Sequence, residues 1–306
     1  MTAPEAAPGA VPPVRPVTTD PSTPTVSPTQ RHHWFTRADN RQRRRIVALR
    51  NLALDTARSG FRARYPDLAL GPVVALIAAY EEERNLGGVL AGLPDEVAGL
   101  RVTGLVVVDG GDDGTDRVAV GSGVATCILP VNLGQGAALR LGYELAIEHG
   151  AEYVVTLDAD GQNDPAEMAA ILEPLLADRA DFVIASRRLG VDYTTDRFRR
   201  LGVHLYATAL NRLLGTHLTD TSNGYRAFRV QVLADILPFL RQDQYQTAEV
   251  VITAARRGWR IGEAPTQWHP RASGASKKGG NLFFGAQYAR VIVETVLRSS
   301  FGRPAR

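Results

Sequence analysis

The chain has 306 residues, 44% of them hydrophobic, and a single cysteine. It can bury one sizeable core, but it cannot form a disulfide framework or a cysteine-based zinc site. Its formal net charge of +3 is small. Because no nucleic-acid-binding motif accompanies that charge, we expect no nucleic-acid partner.

Residues 1–30 are rich in proline and threonine and cannot bury apolar surface, so we expect a disordered tail. The tail lacks the charged-then-apolar pattern of a signal peptide. In addition, no apolar run in the sequence approaches the roughly 20 residues that span a bilayer. We therefore expect a cytoplasmic protein.

Residues 31–66 form a basic segment with helical spacing. Arginines cluster there around apolar positions: Arg41, Arg43, Arg44, Arg45 and Arg50 around Ile46, Val47, Leu49, Leu52 and Leu54. Three interpretations are open. The segment is a helix with a solvated arginine face that packs on the following domain, a contact with anionic lipid, or, least favoured, a nucleic-acid contact.

Strands and helices alternate after this segment. Strands are predicted at 73–79, 104–108, 125–129, 153–157 and 181–185, and helices at about 84–93, 114–120, 135–149 and 165–177. The rhythm indicates an α/β, Rossmann-like domain with a mostly parallel sheet and ligands outside the carboxyl ends of its strands. A Rossmann dehydrogenase is disfavoured because Gly134-x-Gly136 lacks a third glycine, and the sequence contains no Walker lysine-serine pair. Cys127 lies within a predicted strand and is interpreted as a small buried hydrophobe.

Two aspartates end the strand at 153–157. Asp158 and Asp160 are separated by one small residue, so strand alternation directs both side chains the same way. Paired carboxylates suit Mg²⁺ or Mn²⁺ held jointly with a substrate diphosphate. On its own the tripeptide also fits a polar turn before a helix that begins at Asp164-Pro165.

Polar loops also follow the earlier strands. Tyr80-Glu81-Glu82 follows the first strand, Asp109 opens a glycine-rich loop after the second, and Asn132 to Arg140 forms a glycine-containing turn into a helix. In this order the blocks resemble family 2 glycosyltransferases with the GT-A fold, in the branch similar to dolichyl-phosphate mannose synthase and other polyprenyl-phosphate glycosyltransferases. We assign residues 67–280 to one such domain and residues 281–306 to a C-terminal amphipathic helix.

The resemblance implies a set of residues that bind the nucleotide-sugar donor. They are Ala79, Tyr80, Glu82, Asp109, Asn132, Gly136, Asp158, Arg187, Arg226 and Ser276. The sequence departs from the family pattern where Ala78 replaces a proline, and the loop after Asp109 is one residue short, so the base remains open. An Asx turn that caps the next element is the alternative role for Asp109.

The resemblance also implies a metal site for Mg²⁺ or Mn²⁺. Asp160 would bind the ion directly, Asp158 would contact ribose or metal-bound water, and Gln162 would supply a further oxygen. Gln135 stands where the family commonly has lysine, and Asn163 where the branch often has histidine.

Three residues are implied in catalysis. Glu249 would be a general base near the acceptor, or alternatively a first-turn glutamate that complements a helix dipole. Arg271 and Lys277, with Ser276, belong to a segment resembling the Arg-x-x-Gly-x-Ser-Lys loop of this branch. We expect this loop to be an active-site lid that neutralises the leaving group.

These implications predict a metal-dependent, inverting glycosyltransferase that uses a nucleotide-diphosphate sugar and a polyprenyl phosphate acceptor. A hydroxyl acceptor, such as a saccharide, glycerate or natural product, is the alternative. Nucleotidyl transfer and a non-catalytic membrane-associated scaffold are weaker ones. Apolar positions at helical spacing after residue 281 and the basic segment leave open a peripheral contact with the inner face of the cell membrane.

Overall fold

A computed structural model describes residues 40–194, 197–271, 273 and 281–300. The predicted tail at 1–30 lies outside this part of the chain. The helices are α1 (Asn40–Arg64), α2 (Glu83–Ala91), α3 (Thr115–Gly121), α4 (Gln135–Glu148), α5 (Met168–Leu176), α6 (Arg197–Leu214), α7 (Val230–Ile236), α8 (Gln246–Arg256) and α9 (Asn281–Ser300). The strands are β1 (Val73–Ala79), β2 (Glu96–Val97), β3 (Leu100–Val108), β4 (Ala125–Ile128), β5 (Tyr153–Asp158), β6 (Phe182–Asp192), β7 (Arg226–Arg229) and β8 (Ile261–Trp268).

The strands form one mixed sheet in the order β2-β3-β1-β5-β7-β6-β8, with β4 paired to β3. Strand β1 lies parallel to β3 and β5, and β4 lies parallel to β3. Strand β7 is antiparallel to both of its neighbours. The predicted mostly parallel sheet of an α/β domain is therefore confirmed, and the carboxyl ends of β1, β3 and β5 share one edge.

Each face of the sheet is covered by its own apolar layer. One layer includes Leu76, Leu141 and Phe228 beneath α1, α4 and α8, and the other includes Ile77, Leu172 and Tyr225 beneath α2 and α5. Alternation along the strands explains the division, since Leu76 and Ile77 are neighbours in β1 and point to opposite faces. Both layers are fully buried, so the sheet is a rigid platform for the loops at its edge.

Helix α1 belongs to the basic segment and packs on the sheet through its C-terminal half. Ala53, Ala57 and Phe61 are buried, and the side chain of Cys127 on β4 contacts the carbonyl oxygen of Ala57 at 3.6 Å. Burial raises the pKa of the Cys127 thiol to about 12, so this thiol stays protonated at neutral pH. The predicted role of a buried hydrophobe fits this environment.

The arginines of α1 divide into paired and exposed groups. Arg58 and Arg62 form ion pairs with carboxylates of α4, and Arg50 pairs with Asp243. Arg44 and Arg45 are exposed. Arg58 and Arg62 are therefore paired with carboxylates of the domain, although Arg62 stays exposed, and Arg44 and Arg45 add exposed charge near the start of α1.

Three elements differ substantially from their predicted bounds. Strand β3 begins at Leu100, before the predicted start at 104. The helix predicted at 165–177 begins as a 3₁₀ turn, Pro165–Glu167, before α5. Asp164 caps this turn by accepting from the amide of Ala166, and the proline at the first position leaves no amide hydrogen unsatisfied there. Strand β6 continues beyond the predicted 181–185. It stays paired with β8 as far as Asp192 after an irregularity between Ser186 and Val191.

Helices α6 and α9 cover the side of the domain near β7 and α8. Tyr288 of α9 is buried against Tyr206 of α6, with ring centroids 4.8 Å apart. Within the described ranges, none of the helices combines the length and apolar character needed to cross a bilayer.

Candidate functional site

The site lies at the carboxyl ends of β1, β3 and β5. Ala78 pairs with Asp158 across β1 and β5, and the amide of Asp109 donates to the carbonyl of Ala79 at 2.8 Å. Parallel pairing therefore brings Ala79, Asp109 and Asp158 to one edge, as the sequence predicted.

Asp158 is the last residue of β5, and its carboxylate lies close to Gln135 and Gly224. Its Oδ1 accepts a hydrogen bond from the side-chain amide of Gln135 at 2.9 Å. A Cβ atom at position 224 would lie 2.9 Å from both Asp158 oxygens, so Gly224 lets the segment before β7 approach this carboxylate. Gln135 thus contacts the aspartate itself, from the position where the family commonly carries lysine.

Asp160 lies in the turn that follows, and its two oxygens have different partners. Oδ1 accepts from the backbone amide of Gln162 at 3.1 Å, and Oδ2 accepts from the guanidinium of Arg271 at 3.2 Å. The side-chain amide of Gln162 donates to the carbonyl of His269 at 3.1 Å. The structure therefore brings Asp160, Gln162 and Arg271 close together, and their predicted roles toward a metal and a leaving group stay predictions.

Glu82 is the second carboxylate that meets Arg271. Its Oε1 pairs with the Arg271 guanidinium, and its Oε2 accepts from the side chain of Asn85 at 2.8 Å. The Glu82 amide donates to the hydroxyl of Thr115 at 2.7 Å, which fixes the turn between β1 and α2. Sequence reasoning did not identify Asn85, and its position one turn after Glu82 in a helix is the signal that links the two side chains.

Asp109 is buried and organises the neighbouring loop. Its oxygens accept from the backbone amides of Leu133 at 2.6 Å and Gly134 at 2.8 Å. The carboxylate therefore fixes the Asn132 turn, a role related to the capping alternative. Its predicted contact with a nucleotide base stays a prediction.

The glycines of that turn have a packing reason. The amide of Gly136 donates to the carbonyl of Asp243 at 2.8 Å. A Cβ atom at Gly134 would lie 2.5 Å from the same carbonyl oxygen, and one at Gly136 would overlap the carbonyl of Gln242. Gly136 was predicted to bind the donor, and in the structure its amide contacts the loop before α8.

Asp243 is a contact point that sequence reasoning missed. Its carboxylate accepts from Arg50 of α1, with Nη1 at 2.6 Å, and from Arg140 of α4 at 2.6 Å. No motif surrounds this residue in the sequence, so the sequence offered no signal for it. It ties α1 and α4 to the segment between the 3₁₀ turn Leu237–Phe239 and α8.

Arg187 was predicted to contact the donor, yet the structure pairs it within the protein. Its guanidinium donates to the Asp220 carboxylate at 2.6 and 3.0 Å and to the Ser222 hydroxyl at 2.8 Å. It also lies over the Trp268 ring, 4.7 Å from the centroid. Burial alone would raise the pKa of Asp220, but the Arg187 guanidinium and Ser222 hold that pKa below its ordinary value. This arrangement favours a structural role for Arg187.

Arg226 is also enclosed by protein. It donates to the carbonyl oxygens of Asn223 at 2.7 Å, Thr221 at 2.8 Å and Thr247 at 3.0 Å. Burial lowers the pKa of its guanidinium, and the negative charge of Asp158 is among the influences that raise it. Arg226 therefore adds positive charge behind Asp158 while it holds the segment before β7, and its predicted donor contact stays a prediction.

Glu249 lies in the first turn of α8 and is fully buried. Its oxygens accept from the backbone amides of Arg241 at 2.9 and 3.0 Å and of Gln242 at 2.9 Å, and from the Arg298 guanidinium of α9 at 2.8 Å. A general base must reach the proton that it removes. These contacts instead favour a structural role close to the helix-terminus alternative.

Four predicted residues remain, of which two lie in loops of the site and two lie outside the part of the chain that the structure describes. Tyr80 and Asn132 are half-buried in the loops after β1 and β4. Ser276 and Lys277 lie outside the described residues. Glu263, which sequence reasoning also missed, accepts from the amides of Thr219 and Asp220, both at 2.8 Å, and burial raises its pKa.

The chemistry of this edge fits a divalent cation. Among the described residues, no three His, Cys, Asp or Glu side chains form a group that would hold a metal by themselves. Mg²⁺ typically binds one or two carboxylates and completes its shell with substrate phosphates and water. Asp158 and Asp160 match that requirement, and the Oδ2 atom of Asp160 already contacts the Arg271 guanidinium.

Comparison with known proteins gives a family match over most of the described sheet. Residues 74–237 match the family model described as glycosyl transferase family 2. A dolichyl-phosphate hexose transferase of Haloferax volcanii is 31% identical over 76% of this chain and 97% of its own length. An undecaprenyl-phosphate mannosyltransferase of Micrococcus luteus is 32% identical over 69% of this chain and 88% of its own.

The fold also resembles a solved structure. Glucosyl-3-phosphoglycerate synthase from Mycobacterium tuberculosis, crystallised with Mn²⁺, UDP and phosphoglyceric acid, superposes with a TM-score of 0.58. The match covers 80% of this chain and 82% of that one at 19% sequence identity. This likeness establishes the shared fold.

Proposed function

The chain belongs to glycosyltransferase family 2, and we propose that it transfers a hexose from a nucleotide-diphosphate sugar to a polyprenyl phosphate, with inversion and with a divalent cation. The observation that carries the proposal is the placement of Asp158 and Asp160 at the carboxyl end of β5, where Asp160 meets the cationic side chain of Arg271. A negative pair and a positive group facing each other are what a metal-bound diphosphate requires.

The donor end of the reaction rests on these charges. Asp160, Asp158 and Gln162 would hold Mg²⁺ or Mn²⁺, which would supply positive charge to the diphosphate as it departs. The structural relative was crystallised with Mn²⁺ and UDP, which supports the same donor chemistry for this chain. Arg271 adds a second cation, and such groups lower the barrier when they contact charge that develops in the transition state.

The acceptor end is supported by the named relatives and by Glu249. The relatives are named for transfer involving dolichyl and undecaprenyl phosphates. A phosphate acceptor is already ionised at neutral pH and needs no general base, whereas a hydroxyl acceptor needs one. Because backbone amides and Arg298 engage the Glu249 carboxylate, the described geometry suits an acceptor that requires no base there.

A transfer assay tests the proposal. Purified protein is incubated with Mn²⁺, a panel of radiolabelled nucleotide sugars and polyprenyl phosphate in detergent, and the organic phase is counted. We expect labelled lipid with at least one donor, loss of label with excess chelator, and an inverted anomeric configuration by NMR. Label that appears only with hydroxyl acceptors such as phosphoglycerate would overturn the lipid acceptor while it retains the transferase.

A peripheral membrane contact belongs to the same proposal. Val47, Leu49 and Leu52 on α1 and Val293 and Leu297 on α9 are exposed by 55–66%. Arg44 and Arg45 lie beside the α1 residues. Exposed apolar residues flanked by arginine suit an anionic lipid surface, and such binding weakens with salt.

Vesicle flotation tests the membrane contact. We expect the protein to float with vesicles that contain phosphatidylglycerol, more weakly with neutral vesicles, and less as salt rises. The variant Leu49→Ser/Leu52→Ser should float less, and the exposed Leu213→Ser on α6 is the matched control. Equal flotation with neutral and anionic vesicles would remove the electrostatic component.

A further inference from the structure

Arg271 joins two carboxylates that belong to different strands. The residue follows β8, while Glu82 follows β1 and Asp160 follows β5. One guanidinium nitrogen meets the Asp160 Oδ2 at 3.2 Å, and another meets the Glu82 Oε1. A single side chain therefore spans the predicted metal carboxylate and the predicted nucleotide carboxylate.

The Arg271 side chain is held in this position by its own loop. Its Nε donates to the carbonyl of Ser273 at 2.9 Å. The Ser273 hydroxyl donates to the Asn85 side chain at 2.6 Å, and Asn85 in turn donates to Glu82. Arg271, Ser273 and Asn85 thus form one hydrogen-bonded chain around the Glu82 carboxylate.

The ion pairs are only partly enclosed. The side chain of Arg271 is 18% exposed and that of Asp160 is 14% exposed, so water reaches both partners. The contact to Asp160 is also the longer of the two ion pairs of Arg271. A contact of this kind can be exchanged without leaving a dry, unpaired charge, unlike the buried pair of Arg187 and Asp220.

We propose that Arg271 is the resident counter-ion of Asp160 before the divalent cation binds, and that the two cations use the Asp160 Oδ2 in turn. This inference rests on the proposed metal site at Asp158 and Asp160. A guanidinium and a divalent cation on the same oxygen would repel each other strongly at such short range. Entry of the metal therefore releases Arg271 from Asp160, and the side chain keeps its second anchor on Glu82.

The exchange has a measurable consequence for metal affinity. A site whose binding-competent form must first be vacated binds its ligand with an affinity reduced by the fraction that is vacant. Removal of the Arg271 charge should therefore tighten Mn²⁺ binding in the absence of donor. We expect a gain of about tenfold, in the range typical of coupling between two ligands of a protein. A role confined to the leaving group would leave donor-free metal affinity unchanged.

The test is a titration of the full chain with Mn²⁺ and no donor. Electron paramagnetic resonance of free Mn²⁺ gives the dissociation constant of wild type, Arg271→Met, Arg271→Lys and Asp160→Asn. Arg188→Met is the matched control, because it removes the same charge from an exposed arginine of β6 whose contact is with His204, at 3.0 Å. Thermal melts accompany each variant to establish that it is folded.

Each outcome decides a separate point. Tighter binding in Arg271→Met, a smaller gain in Arg271→Lys and no change in Arg188→Met support the exchange. Unchanged or weaker binding in folded Arg271→Met and Arg271→Lys, with binding still lost in Asp160→Asn, overturns the exchange and leaves the metal site intact. Equal Mn²⁺ affinity in Asp160→Asn and wild type would instead overturn the metal site itself.

Discussion

The structure has two ion pairs between arginine and aspartate near the candidate site, one around β5 and one around β6, and the two pairs differ in burial. Around β5, Arg271 and Asp160 keep 18% and 14% of their side-chain surface, while around β6 Arg187 and Asp220 keep 6% and 0%. A buried charge must be paired within the protein, and loss of its partner is strongly destabilising. A partly exposed pair can open towards a ligand. Burial therefore separates the charges that hold the fold from those that are available for chemistry.

The largest expected effect is on turnover, from Asp160→Asn. The substitution removes a metal-binding charge whose effect on the transition state is worth several kcal/mol, so we expect turnover to fall about a hundredfold or more. The free energy of unfolding should fall by about 1 kcal/mol, well below the roughly 3–5 kcal/mol of a broken buried pair, because the pair with Arg271 is only partly enclosed. Steady-state kinetics and urea unfolding on the same samples measure both quantities.

The double variant Asp158→Asn/Asp160→Asn is measured beside the single variant Asp160→Asn. If both variants kept wild-type turnover, Asp158 and Asp160 would have no catalytic role, and burial would not separate charges that hold the fold from charges that serve the chemistry. If either variant instead lost several kcal/mol of stability, Asp158 and Asp160 would hold the fold in the way that Asp220 does around β6.

The second effect is on stability, from Asp220→Asn. This change leaves the buried Arg187 guanidinium without its carboxylate, and breaking such a pair typically costs about 3–5 kcal/mol. Urea unfolding at neutral pH measures the loss. The double variant Arg187→Met/Asp220→Leu should recover part of it, because apolar groups of similar volume can replace a buried ion pair. A loss below about 1 kcal/mol, the level of exposed pairs, would contradict the assignment.

The same pair predicts a pH dependence. The folded-state pKa of Asp220 is held below its ordinary value, which is about 3.9 in an unfolded chain. Its contribution to stability is therefore fully present above pH of about 4 and is lost as pH falls through the folded-state pKa. Between pH 5 and pH 3, wild type should lose more stability than Asp220→Asn, as urea unfolding at each pH would report.

The sequence predicted the region around β5 better than the region around β6, because the two regions leave different signals in the sequence. Strand periodicity and loop order predicted the mostly parallel sheet, the convergence of Asp109, Asp158 and Asp160, and the family, and the structure and the family match confirm the sheet and the family. Local pattern sufficed because parallel strand ends share one edge.

Side-chain partners at long sequence separation were beyond that reasoning. Arg187 was assigned to the donor through the family resemblance, but its partner in the structure is Asp220, 33 residues away along the chain. Asp243 and Glu263 carry no motif, since a carboxylate that satisfies backbone amides of another segment leaves no periodic trace in the sequence. Those contacts depend on tertiary packing, which a single sequence does not reveal.

The fourth prediction concerns Glu249, and it decides whether this charge holds the fold or takes part in the chemistry. As a structural carboxylate it accepts from two backbone amides and from Arg298, so Glu249→Gln should cost about 1–3 kcal/mol of stability, as expected when a buried hydrogen-bonding group is left unsatisfied. Transfer to polyprenyl phosphate should continue at a substantial rate. Unfolding and transfer assays report the two effects separately.

Arg298→Met is the matched control for Glu249→Gln, because it removes the same ion pair from α9. If Glu249→Gln abolished turnover at unchanged stability while Arg298→Met remained active, Glu249 would be a base and the acceptor would be a hydroxyl. That outcome would move Glu249 from the structural class to the chemical one.

The smallest effect is expected for the pair of Arg50 and Asp243, which at 29% and 32% exposure is more open to water than either of the other two pairs. Exposed pairs typically contribute about 0.2–1 kcal/mol, and Arg140 still pairs with Asp243 when Arg50 is replaced. A double-mutant cycle of Arg50→Met and Asp243→Asn should give a coupling energy in that range, falling with salt, and Arg50→Met should leave turnover unchanged. Coupling above about 2 kcal/mol would group this pair with the buried one. A fall in turnover would mean that α1 positions the loop on Gly136, and through it Gln135 at Asp158, so that helix packing would control the chemistry directly.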